Sequence, residues 1–295
     1  METAQGFSML KQSSWQNPAT PHPDLTYGEN IIATSEPHAT EAGIDAFRRG
    51  GNAVDAAIAA AITLTVVEPT QNGIGGDGFS IVAHEGQLYG LNASGKSPKA
   101  WTRDYFNQFD TMPMRGWDSV TTPGVVSHWV ALHKRFGKLP FSSLFEAGIR
   151  HAREGFPLSP IVASVYKGAY STFKDRPEFT NTWFPDGFEP KPGVVFRNPA
   201  QANTLEEIAD TYGESFYRGS LAKKIVAHAK NTGGWLTEED LATHEPFWTE
   251  TISTPYRSCE VHEIPPNGQG LVALIALGIL NQFPLDKWAP DSVDS

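Results

Sequence analysis

The stretch NAVDAAIAAAITLTVV, residues 52–67, decides the core of the fold. Its side chains are apolar on nearly every face of a helix, and such a helix must lie in the centre of a protein. Asn52 is placed to cap this helix, and Asp55, three residues on, fits a capping-box pattern. Pro69 ends the helix because proline cannot continue the backbone hydrogen bonding. The sequence therefore predicts a buried central helix.

Two short β-compatible runs follow, residues 79–84 and 87–92, with only two residues between them. This spacing predicts an antiparallel hairpin. A second pair of strand-like runs, residues 247–252 and 257–264, flanks a predicted turn at Ser253-Thr254-Pro255-Tyr256. Helices and hairpins come in blocks and not in a strict βαβ alternation, so the predicted fold class is α+β with antiparallel strands.

Composition restricts the class of partner. The 295-residue chain has a net charge of -10, and an acidic chain repels phosphate backbones, so we expect no nucleic-acid partner. No apolar run is long enough for a membrane span, so no membrane partner is expected. The N-terminus lacks a basic region followed by an apolar one, which predicts a cytoplasmic protein. Residues 1–29 are predicted to be an irregular N-terminal arm, and residues 30–295 a single domain.

The residue types that bind metals or act as nucleophiles form no recognised motif in the sequence. Cys259 is the only cysteine, which excludes an internal disulfide and a cysteine-based zinc site. We interpret its thiol as buried and inert. The nine histidines form no H-x-H or H-E-x-x-H pair, so neither a metal nor a cofactor is expected. Taken alone, the sequence shows no complete catalytic set.

Two glycine motifs resemble nucleotide-binding loops. Residues 73–78, GIGGDG, satisfy the G-x-G-x-x-G pattern, but here a helix precedes and a strand follows, the reverse of the dinucleotide-binding order. Residues 90–97, GLNASGKS, match the P-loop pattern G-x-x-x-x-G-K-[ST]. A P-loop strand lies in a parallel sheet, and Pro98 stands where the following helix should donate N–H groups. A P-loop nucleotide-binding protein stays open as an alternative function.

Three long blocks resemble one protein family, in the same order and with similar spacing. They are residues 39–79, 121–160 and 212–266, and together they cover most of residues 30–285. All three resemble the large-subunit portion of the gamma-glutamyltranspeptidase family. The resemblance implies an N-terminal nucleophile hydrolase: an αββα sandwich of two stacked antiparallel sheets between helical layers. It also implies that a small subunit from the same precursor completes this domain.

The resemblance further implies an amide hydrolase or acyltransferase that cuts its own precursor before a Thr. The new N-terminal Thr attacks an amide carbonyl, with its own α-amino group as the base. In the family this Thr lies beyond the final apolar helix, which residues 271–280 match here. The nucleophile is therefore expected after Ser295, and no residue of this chain is assigned as catalytic. The oligomeric state stays open, with a dimer of heterodimers as one arrangement.

The chain departs from the family pattern where the substrate is held. The family places an Arg at the end of the hairpin's second strand, where it grips a carboxylate bidentately. Aligned on Pro98, that position is Ser94, and the nearest cation is Lys96. The family's run of prolines, serines and glycines is replaced by PPNGQG at residues 265–270. We therefore expect a changed grip on the substrate.

The expected substrate is a small acidic amide such as oxamate, and cephalosporin-acylase-like members of the family offer another comparison. Two further functions also stay open: a gamma-glutamyltransferase or glutathione hydrolase, and a scaffold without catalysis. The glycine loop also carries a carboxylate that the family loop lacks. Four residues are the candidates for contacting a small-molecule amide. Asn72 and Asp77 lie beside the glycines of the loop, and Ser94 and Lys96 lie at or next to the position of the family's Arg.

Overall fold

The computed structural model of this protein describes residues 27–289 and residue 292. The chain divides into two compact units, Met1–Ile31 and Ile32–Ser295, and all helices and strands below belong to the second. Most of the irregular arm predicted for residues 1–29 lies outside the described residues.

Helices outnumber strands in the described part of the chain. The α-helices are α1 (Pro37–Arg48), α2 (Ala53–Val67), α3 (Arg103–Phe106), α4 (Val125–Phe136), α5 (Glu146–Glu154), α6 (Pro160–Phe173), α7 (Pro177–Trp183), α8 (Pro199–Asp210), α9 (Glu214–Arg218), α10 (Ser220–Asn231), α11 (Glu238–Ala242) and α12 (Gly270–Leu280). The strands are β1 (Phe79–His84), β2 (Gln87–Asn92), β3 (Phe156–Pro157), β4 (Val195–Phe196), β5 (Phe247–Thr249), β6 (Ile252–Tyr256) and β7 (Cys259–Glu263). Short 3-10 helices occupy Trp117–Ser119, Phe141–Phe145, Pro185–Gly187 and Leu285–Lys287.

Helix α2 is the buried centre that its composition predicts. Ile58 and Ile62 are almost fully buried, and α1, α4 and α5 pack around the helix. The predicted capping box is confirmed, since Asn52 accepts from the backbone at its N-terminus and Asp55 accepts from the Asn52 N–H at 3.0 Å. Asp55 is 0% exposed and also accepts from the N–H groups of residues 138 and 139. One carboxylate thereby holds the start of α2 against the loop after α4.

The first hairpin is also confirmed, with β1 and β2 antiparallel and His84 opposite Gln87. Glu85 and Gly86 form its turn with φ values of 50° and 76°, which match a two-residue hairpin turn. On its other side β2 pairs antiparallel with β5, so β2 is the central strand. After β2 the chain forms no helix until Arg103. The P-loop alternative is wrong, because it needs a parallel strand followed directly by a helix.

The second hairpin has a different turn from the predicted one. Residues 253–256 lie inside β6, and the turn falls after them at Arg257, whose φ is 55°. Pro255 is tolerated in the strand because β6 pairs with β7 alone among the described residues, and an edge strand does not need every N–H. The expectation for Cys259 is also wrong: its thiol is exposed, since it lies at the open start of β7.

Helix α12 combines an apolar sequence with an exposed surface. Leu274 is its buried residue, whereas Val272, Ile275 and Ile279 are 63%, 55% and 57% exposed. Exposed apolar surface of this kind marks an interaction site. Among the residues that the structure describes, no helix is both long and apolar enough to cross a membrane.

Candidate functional site

Three backbone segments meet beside the first hairpin. They are the glycine loop (residues 73–78), the segment after β2 (residues 93–96, called the Ser94 segment below) and the approach to α4 (residues 122–125). Main-chain hydrogen bonds join these segments and hold their relative positions. The joining hydrogen bonds run from Ala93 N to Gly78 O (2.9 Å), from Thr122 N to Lys96 O (3.0 Å) and from Gly124 N to Gly76 O (2.9 Å).

Two glycines make this close approach possible. A Cβ atom on Gly95 would lie 1.5 Å from the carbonyl oxygen of Thr122, and one on Gly124 would lie 1.5 Å from that of Ala93. No side chain fits at either position without moving the backbone. Gly95 is the glycine that gave the sequence its P-loop match. Its physical role here is backbone packing.

The Ser94 side chain belongs to a closed ring of hydrogen bonds. Its Oγ donates to Oδ1 of Asn92 at 2.7 Å and accepts from Nδ2 of Asn267 at 3.0 Å. The amide of Asn92 closes the ring by donating to Oδ1 of Asn267 at 2.9 Å. Asn92 is 1% exposed, whereas Asn267 and the Ser94 hydroxyl reach the surface. The ring is therefore an uncharged polar surface anchored on a buried amide.

Ser94 and Asn267 lie in the two stretches that depart from the family pattern, and the fold places them in direct contact. The sequence flagged Ser94 by position and residues 265–270 as a group, but it did not single out Asn267. Asn92 was missed altogether, since nothing local distinguishes it from other strand-end residues. Covariation between positions 94 and 267 is the signal that would have linked them.

Asp77 acts on the neighbouring backbone. Its Oδ1 accepts from the Gly95 N–H at 3.1 Å, which ties the glycine loop to the Ser94 segment. Burial raises the pKa of the Asp77 carboxyl, and the hydrogen bond from Gly95 lowers it to a smaller extent. Lys96 is exposed and forms no ion pair with any described residue. Its charge acts on His244, where it helps to lower the pKa of the imidazole.

Asn72 is separated from this arrangement by its hydrogen bonds. Its Nδ2 donates to Oε2 of Glu68 at 2.9 Å, and the hydroxyl of Ser35 donates to the same oxygen. No hydrogen bond among the described residues joins Asn72 to Asp77, Ser94 or Lys96. The structure thus brings the segments of three predicted residues together and leaves the fourth, Asn72, between the turn after α2 and the glycine loop.

A serine and a histidine under the Ser94 segment have the residue types of a catalytic pair. Oγ of Ser127 donates to the Gly124 carbonyl at 2.6 Å, so its single proton is already used. Nε2 of His244 lies 2.9 Å from the same hydroxyl, and the tautomer that carries its proton on Nε2 satisfies both contacts. Burial, with help from the charges of Lys96 and Arg218, lowers the pKa of His244. The pair ties the start of α4 to the segment that follows α11.

A second buried histidine supports the glycine loop. The ring of His128 lies against Gly78, where a Cβ would be 2.4 Å from the histidine Cγ. Its Nε2 is 2.6 Å from the Ser80 hydroxyl. Burial lowers the pKa of His128 to about 4, so the ring is neutral at pH 7. Within the described residues, no three His, Cys, Asp or Glu side chains form a group that could hold a metal ion.

Comparison with known proteins relates this geometry to characterised chains. The sequence model described as Gamma-glutamyltranspeptidase matches residues 39–295. The Glutathione hydrolase-like YwrD proenzyme of Bacillus subtilis is 34% identical over 266 residues, 86% of this chain and 50% of that protein. The oxamate amidohydrolase proenzyme of Klebsiella pneumoniae is 33% identical over 258 residues, 84% of this chain and 49% of that protein.

The chain thus spans about half the length of these curated relatives. Among solved structures, cephalosporin acylase from Bacillus halodurans is 42% identical, with a TM-score of 0.85 over 95% of this chain and 54% of that one. The fold is therefore that of the N-terminal nucleophile hydrolases, an αββα sandwich of which this chain forms the large-subunit portion. On the match over residues 39–295, the chain belongs to the gamma-glutamyltranspeptidase family.

Proposed function

We propose that this chain is the large-subunit part of an autoprocessed amide hydrolase. A small subunit from the same precursor supplies its N-terminal Thr nucleophile. Membership of the family supports the reaction class, and the relatives from Bacillus subtilis and Klebsiella pneumoniae both carry the word proenzyme in their names. The proposal assigns no nucleophile to the buried Ser127–His244 pair, since the Ser127 hydroxyl donates its proton to the Gly124 carbonyl.

The exposed apolar face of α12 supports the proposal that a partner subunit binds this chain. Isolated apolar residues are common on protein surfaces, but a whole helix face is not. Leu271, Val272, Ile275 and Ile279 are all at least 42% exposed. A surface of this composition is stable in water when another chain segment covers it. The small subunit is the occupant that family membership favours.

In the proposed reaction, the threonine hydroxyl attacks the amide carbonyl carbon while the threonine α-amino group accepts its proton. The amine or ammonia leaves with a proton, and an acyl-enzyme forms. Water then attacks the acyl-enzyme, which releases the acid and restores the hydroxyl. This chain's own contribution is to bind and orient the part of the substrate that does not react.

We propose that the substrate is a small acidic amide of the oxamate type, bound by the ring of Asn92, Ser94 and Asn267. This ring is the observation that carries the proposal. Where the family pattern has an Arg, the ring presents the second N–H of the Asn267 amide and a lone pair on the Ser94 hydroxyl, so it suits a short polar group better than a carboxylate that needs two parallel donors. The exposed Lys96 ammonium supplies the countercharge for an anion.

Glutathione hydrolysis is the second candidate, favoured by the name of the Bacillus subtilis relative. The two are separated by steady-state kinetics of the complete protein with oxamate and with gamma-glutamyl-p-nitroanilide. Higher kcat/KM for oxamate supports the small-amide proposal, and higher kcat/KM for the glutamyl compound refutes it. The amide-hydrolase class has its own test: the precursor should yield two fragments, the smaller beginning with Thr. An uncleaved, inactive precursor would instead support a scaffold.

A further inference from the structure

A cavity of about 840 Å³ lies next to the glycine loop, outside the ring described above. Such a volume is typical of sites for small organic molecules. Its walls come from the 3-10 helix Trp117–Ser119, the end of α6, and helices α9 and α10. The aromatic side chains of Trp117, Phe173 and Phe216 make much of this lining. An apolar, ring-sized group would lose much of its contact with water against these walls.

The charged part of the same lining is cationic. Arg115, Arg176 and Lys224 line the cavity, and none of its described lining residues is a carboxylate. Neither arginine forms an ion pair with any described residue, whereas Lys224 forms one with Glu207 at 3.6 Å. This concentration of positive charge is unexpected in a chain whose net charge is -10.

Arg115 shows how the two properties combine, because its guanidinium lies over the Phe173 ring at 5.6 Å from the centroid. A guanidinium stacked on a ring keeps its N–H edge free to donate to an anion. An arginine held in this way suits a carboxylate, to which it can donate two parallel hydrogen bonds.

We infer that this cavity binds a small molecule with an apolar, aromatic-sized body and a carboxylate. Trp117, Phe173 and Phe216 would cover the body, and Arg115 and Arg176 would hold the carboxylate. Ile74 and Gly75 in the cavity wall belong to the glycine loop. The ligand therefore touches a segment whose backbone is bonded to the Ser94 segment.

The test uses the complete processed protein and isothermal titration with 4-phenylbutyrate. The uncharged 4-phenyl-1-butanol is the matched ligand. We expect saturable binding of the acid, much weaker binding of the alcohol, and a Kd that rises about tenfold or more in Arg115→Gln and Arg176→Gln. Arg103→Gln, an exposed arginine outside the cavity, is the control and should leave the Kd unchanged.

No binding of the acid, equal binding of acid and alcohol, or an unchanged Kd in both cavity variants overturns the inference. Both arginines are exposed, so loss of folding is not expected, and thermal unfolding of each variant checks this. The source of the ligand is read from inhibition kinetics. If 4-phenylbutyrate competes with the amide substrate, the cavity takes part of a substrate. If it changes kcat alone, the cavity takes a separate effector. Either pattern supports the site when the arginine variants weaken it.

Discussion

Replacing Ser94 by Ala tests the proposed substrate ring. The substitution removes one hydroxyl, which donates to Asn92 at 2.7 Å and accepts from Asn267 at 3.0 Å. The two bonds hold the ring in the geometry that meets the substrate, and one lost hydrogen bond from the ring to an ionised substrate costs about 1.5 to 2 kcal/mol, roughly ten- to thirtyfold in binding. Because Ser94 is partly exposed, water replaces the lost partners in the free protein and folding is little affected.

The assay is steady-state turnover of oxamate by the complete processed protein. We expect KM to rise by roughly ten- to thirtyfold with kcat within about a factor of three, because the ring binds substrate and does not touch the reacting atoms. Ser97→Ala is the matched control. It removes the same hydroxyl from an exposed position three residues further along and should leave both constants unchanged.

Two results would refute this reasoning. If KM in Ser94→Ala stays within about twofold of the wild-type value, the ring does not bind substrate. If kcat falls while KM is unchanged, Ser94 acts on the reacting centre, and the ring is not a substrate-binding surface.

Two further predictions concern stability, each measured by urea unfolding. Asp55→Ala leaves three N–H groups without the buried carboxylate that accepts from them and should lower the free energy of unfolding by about 3 kcal/mol. Asp45→Ala, at a partly exposed position, should change it by less than about 1 kcal/mol. Equal effects would contradict the buried-acceptor role. Because burial holds the pKa of His128 near 4 against an ordinary 6.5, the folded protein binds this proton more weakly than the unfolded chain. Its stabilising contribution is complete above pH 6.5 and is lost, by about 3 kcal/mol, as pH falls toward 4. His128→Gln should make the free energy of unfolding depend less on pH, whereas the control His84→Gln, at an exposed position, should not. Identical slopes of the free energy of unfolding against pH in both variants would refute the prediction.

Local sequence was sufficient where the interacting residues are neighbours in the chain. The cap on α2 depends on Asn52 and Asp55, three residues apart, and the first hairpin depends on a two-residue turn. Such contacts form with little loss of chain entropy, so the pattern of a few residues predicts them. The absence of a P-loop could be anticipated in the same way, from one proline after the motif.

Strand register in the second hairpin could not be read locally. A serine, a threonine and a proline in sequence are typical of a turn, yet residues 253–255 lie within β6. Proline is tolerated there because β6 is an edge strand, so the sheet does not need a backbone N–H from residue 255. The exposure of Cys259 has a similar cause. Cysteines are usually buried, but this one begins a strand of a two-stranded sheet that pairs with no further described strand.

The sequence by itself determined the family, the buried helix α2, the first hairpin and the position of Ser94. Only the tertiary structure decided what Ser94 touches, because Asn267 is 173 residues away and long-range pairing leaves no local pattern. The structure also decided that apolar α12 is exposed while apolar α2 is buried. Composition shows how apolar a helix is, but only the tertiary packing determines whether other parts of the same chain cover that helix.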